Sequence, residues 1–289
     1  MYNTDIKFYR FYEKIGKVYI DSFLLSQWNA KGDLDWYTFL KNYAYERQGG
    51  NAVYPHIASE LVKKWYEGSL TEKDVINEFE EKLNEYKKYK QSTDTNNSDG
   101  ATVGSNEKRN PLYRGSKKSI MKFISDKNRK SLKEILWIID DNEWDVKEAY
   151  NKITEINGIG QKIASFYLRD LKEYRALKGE EVKIKREDRW YLQPIDIWVR
   201  RIINESEQDK GISDKEIAEK IVDISLNNEL NPERVNMGMW FFSANIIGNR
   251  YKFYLLYKNR KYEEFERCVK DYLEMLDKKL KSLNSSFSL

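Results

Sequence analysis

The sequence predicts an all-α fold. Only 4 prolines interrupt 289 residues. Apolar residues recur mostly at helical spacing, and few segments alternate apolar with polar as a half-buried strand would. Hydrophobic content of 40% is enough for a sizeable core, so a chain of this length fits one or two domains. Charged residues make up 34% and the net charge is +4, an excess too small to argue for nucleic acid by itself.

Helical patterns run in order over residues 8–27, 36–46, 54–67, 71–89, 116–125 and 131–140. The segment 91–110 is dense in Ser, Thr, Asn, Asp and Gly and predicts a flexible surface loop. Next, Trp144, Val146, Ala149, Tyr150, Ile153 and Ile156 recur as on a short amphipathic helix. Gly158 and Gly160 then allow positive φ and close backbone approach. A second helix starts at Lys162, with Ile163, Phe166, Tyr167 and Leu171 near one face. Further patterns cover 196–205, 213–227, 232–245 and 260–283, and Ser213 with Glu216 reads as a capping box. There is no internal repeat.

Two short motifs carry the chemistry. Asn157-Gly158-Ile159-Gly160-Gln161-Lys162 reads as a Gly-bounded hairpin between helices. Amides of Gly158 to Lys162 would point out of the helix N-terminus, where the dipole favours an anion such as a DNA phosphate. Leu192-Gln193-Pro194-Ile195-Asp196, followed by Ile197-Trp198-Val199-Arg200-Arg201, reads as a Pro-containing loop that delivers a carboxylate to a helix start. Taken singly, each motif has a plain explanation. Many hairpins with Gly-x-Lys only grip phosphate, and an Asp before an apolar helix is ordinarily its N-cap.

Together the motifs resemble the helix-hairpin-helix DNA glycosylases, the superfamily of endonuclease III and the 8-oxoguanine glycosylases. The likeness is strong over about 45 residues, 156–201. It implies a two-lobed helical fold, with DNA across the cleft between the lobes. One lobe would span 33–174, and the second would combine 1–32 with 175–289. It also implies that Lys162 is the nucleophile and Asp196 the essential acid, on double-stranded DNA carrying a damaged base. Attack on the sugar C1′ needs a neutral amine, which a partly buried position at a helix N-terminus favours. Asp196 would stabilise the developing oxocarbenium charge. The implied activity is base excision with AP lyase cleavage, the lesion being an oxidised base such as 8-oxoguanine. A monofunctional glycosylase with Asp-activated water, and a non-catalytic DNA-binding module, stay open as alternatives.

The chain departs from the family in three places. Lys162 and Asp196 stand 34 positions apart (196 − 162), longer than the usual gap. The extra residues fall in 177–191, either a solvated loop or lengthened helix end, or a basic arm touching DNA through Lys183, Lys185, Arg186 or Arg189. Trp198 stands where many relatives have histidine. Cys268 is the single cysteine, so the four-cysteine iron–sulfur cluster of endonuclease III cannot form, and no cofactor is expected. His56 is the single histidine, and no spaced cluster predicts a metal.

DNA contacts are expected from Gly158, Gly160, Gln161, Arg200 and Arg201. A flipped base must sit between apolar or aromatic faces. Trp240, Phe241, Phe242 and Asn245 could line that pocket, or simply belong to a buried helix. Gln48 and Asn51 could wedge into the duplex and bond base edges, or simply follow a helix cap at Gly49. The first twelve residues mix charges and aromatics rather than forming a signal peptide, and no apolar run is long enough to span a membrane. A cytoplasmic, nucleoid-associated monomer is the expectation.

Overall fold

The computed structural model describes residues 6–29, 35–45, 53–93, 111–112, 119–207, 211–259 and 262–286. These residues are mostly helical, with one two-stranded sheet among them. The helices are α1 (Ile6–Tyr19), α2 (Leu25–Asn29), α3 (Asp35–Phe39), α4 (Val53–Tyr66), α5 (Glu72–Thr93), α6 (Ile120–Asp126) and α7 (Leu132–Leu136). They continue with α8 (Val146–Thr154), α9 (Gln161–Leu177), α10 (Ile197–Glu207), α11 (Asp214–Asn227), α12 (Pro232–Phe241), α13 (Arg250–Asn259) and α14 (Tyr262–Ser286). Wider π-helical turns follow α1 (Ile20–Leu24), α3 (Leu40–Tyr45) and α12 (Phe242–Ile247).

Side-chain caps start several helices where the sequence puts Ser, Asp or Asn. Ser213 and Glu216 form the expected capping box on α11, and Ser131 with Glu134 forms another on α7. Asn231 caps α12, with Pro232 at its first position.

Three elements depart from the sequence patterns. The pattern over 131–140 ends early, because Ile139–Asp140 (β1) pairs antiparallel with Glu143–Trp144 (β2). Asp141 and Asn142 both have positive φ, the requirement of a two-residue hairpin turn. Residues 250–259 form α13, started by Asn249, whose Oδ1 accepts the Tyr251 and Lys252 amides at 2.9 and 3.2 Å. Helix α5 runs to Thr93, past the start of the expected loop at 91; the remainder of that loop lies outside the described residues.

The chain divides into two compact units, Met1–Ser22 with Ile195–Leu289, and Phe23–Pro194. The cuts differ from those expected at 33 and 174. The first falls inside the π-helical turn after α1. The second moves to Pro194 because 178–194 packs on α8, α9 and β2 rather than leaving with the C-terminal segment.

In the first unit α1 crosses α12 at glycines. A Cβ on Gly16 would overlap the Arg234 carbonyl, and one on Gly238 would overlap the Tyr12 carbonyl. The backbones therefore meet directly, and an aromatic cluster closes around the crossing. Phe11 meets Phe242 edge-on at 5.1 Å, and Phe242 stacks on Phe265 at 5.3 Å.

In the second unit α9 is buried from Ile163 to Tyr174. Trp28 stacks on its Tyr167 at 5.4 Å, and Phe39 and Tyr43 meet the same ring edge-on. Charges lie inside as well. Arg169 and Asp170 form an ion pair at 2.9 Å with no side-chain exposure. Asp170 Oδ2 accepts from the Tyr43 hydroxyl at 2.6 Å, and that hydroxyl accepts from Trp28 Nε1 at 3.1 Å.

Candidate nucleic-acid site

The hairpin is built from local chemistry in the second unit. Asp145 caps α8 through the Glu148 amide, and α8 stops at Thr154. Gly158 takes φ of 79°, a left-handed conformation that glycine adopts without a Cβ penalty. Ile156 and Ile159 are buried on either side of it, and the Ile159 amide donates to the Ile156 carbonyl at 3.0 Å. The two isoleucines anchor the turn, so its polar edge faces out. Gly160 is the N-cap of α9 and supplies no side-chain cap. The positive end of the helix dipole there is thus left to backbone groups and whatever they bind.

Gln161 and Lys162 are exposed on the first turn of α9. The expectation of a partly buried Lys162 is thereby corrected: Lys162 is exposed, whereas Ile159 and Ile163 near it are buried. Its place on the helix N-terminal turn is as expected.

Asp196 belongs to the other unit and is half-buried. Its Oδ1 accepts the amides of Trp198 and Val199, both at 2.9 Å, so it caps α10. Pro194 and Ile195 are buried just before it and fix the approach of the loop. Arg200 is engaged: its guanidinium pairs with Asp214 and donates to the Ile212 carbonyl at 3.3 Å. That ties α10 to the start of α11. Arg201 lies over the Trp198 ring at 5.5 Å.

The extra residues before Asp196 are not a free arm. Lys183 pairs by backbone with Glu143, its carbonyl accepting the Trp144 amide at 2.9 Å. Lys185 reaches the Glu143 carboxylate at 3.8 Å. Both lysine side chains are exposed. A 3₁₀ segment, Arg186–Leu192, then stacks on α8. Trp190 and Tyr191 lie 3.9 Å apart, and Tyr191 is 4.8 Å from Tyr150. Burial, with Tyr191 beside it, pushes the Tyr150 phenol up to about 12. Burial, then Glu187 and Asp145, also raises the Asp188 carboxyl. The signal for this packing was the Trp190-Tyr191 pair itself, two rings inside a segment otherwise read for its charges.

The other expected residues are spread out. Phe241 and Phe242 are wholly buried, Phe242 in the aromatic cluster of the first unit and Phe241 between Tyr19 and Tyr272, so they are core and offer no face to a flipped base. Their plain reading as a buried helix holds. Trp240 is half-buried edge-on to Tyr19 at 5.7 Å, and Asn245 is exposed on the following π-helical turn. Gln48 and Asn51 lie outside the described residues. Among the described residues no three His, Cys, Asp or Glu side chains gather into a metal-binding group, and no helix is long and apolar enough to cross a membrane. Cys268 is half-buried, and burial first of all raises its thiol. No known protein family, curated protein or solved structure matches the chain.

Proposed function

We propose that the chain is a base-excision DNA glycosylase with AP lyase activity on an oxidised base such as 8-oxoguanine. The supporting observation is the hairpin: a left-handed glycine and an uncapped helix N-terminus with an exposed lysine on its first turn. Backbone amides at that turn suit a DNA phosphate, and Lys162 carries the amine beside it. In this mechanism the Lys162 Nζ, as the free amine, attacks C1′ and the damaged base leaves with the bond electrons. Loss of a proton and ring opening give an imine between Lys162 and the sugar. Removal of a C2′ proton then breaks the C3′–O bond and expels the 3′ phosphate. Asp196 stabilises the positive charge that develops on the sugar and takes part in the proton transfers.

The exposure of Lys162 favours a second reading beside the first. An exposed lysine beside the hairpin amides suits gripping phosphate, with Asp196 activating water for base release. Borohydride separates the two. Reduction in the presence of lesion-containing duplex links protein to DNA if the imine forms, and Lys162→Ala abolishes the adduct. Base release without any adduct supports the second reading.

Asp196→Asn is the informative partner variant. Asparagine caps a helix about as well as aspartate, so the fold is retained. Both enzymatic readings expect base release to collapse, and undiminished release in Asp196→Asn overturns both.

A further inference from the structure

We draw no further inference here: the strongest candidate, the stripe of Val269, Leu273 and Leu276 at heptad spacing along α14, is an apolar face for which nothing in the structure shows what covers it.

Discussion

Asp170 shows how much of this fold rests on a single carboxylate. It is wholly buried, holds Arg169 at 2.9 Å and accepts from Tyr43 at 2.6 Å. A buried pair contributes little net stability over apolar residues, but breaking one by removing a partner is costly. Asp170→Ala is expected to cost about 3–5 kcal/mol, read as a drop in the urea midpoint. An unchanged midpoint would show that Arg169 finds another partner of equal worth. Lys162→Ala is the contrast: an exposed residue whose loss should change stability by no more than about 0.5 kcal/mol. Activity lost in Lys162→Ala therefore reflects chemistry or phosphate binding rather than the fold.

At the scale of elements, two contacts make predictions. The α1–α12 crossing has no room for a Cβ at Gly238, and the obstacle is the Tyr12 backbone carbonyl rather than a movable side chain. Gly238→Ala is expected to destabilise the first unit by about 3 kcal/mol or more, the upper range of overpacking. A melting temperature within a degree of wild type would contradict that. The second contact is the Tyr150–Tyr191 packing of α8 against the 3₁₀ segment. The Tyr150 phenol ionises near 10.0 when unfolded and at about 12 when folded, chiefly through burial. Above pH about 10 the unfolded chain releases a proton that the folded one keeps. The stabilisation is thus fully present below pH about 10 and is lost as pH rises to about 12. Tyr150→Phe should show a shallower alkaline decline over that window in denaturant titrations. A decline as steep as that of wild type would place the cause elsewhere.

At the scale of the molecule, one unit is a continuous stretch and the other is assembled from both ends of the chain. A fragment of residues 23–194 carries its own aromatic core around α9 and is expected to melt cooperatively. A fragment of 195–289 lacks α1, the helix that packs on α12, and should fold only when residues 1–22 are added in trans. Circular dichroism of the fragments alone and mixed decides this, and a cooperative melt of 195–289 alone would contradict it. Much of the architecture was legible in the residues. Helical spacing, the Ser213–Glu216 capping box and the glycine turn at 158 are short-range features, each set by neighbours within about four positions. The helical patterns that end at Asp140 and begin at Trp144 gave way where pairing across two positive-φ residues made a hairpin. The fates of Arg200, Phe241 and the 178–194 segment were not legible. Each depends on a partner distant in the chain or on a face that only packing covers: Asp214 for Arg200, Tyr19 and Tyr272 for Phe241, Glu143 for Lys183. The sequence by itself determined most of the helices, the glycine hairpin and the order of Lys162 and Asp196. Tertiary structure alone decided which of those side chains reach solvent, because exposure is set by packing between elements and not by the spacing within one.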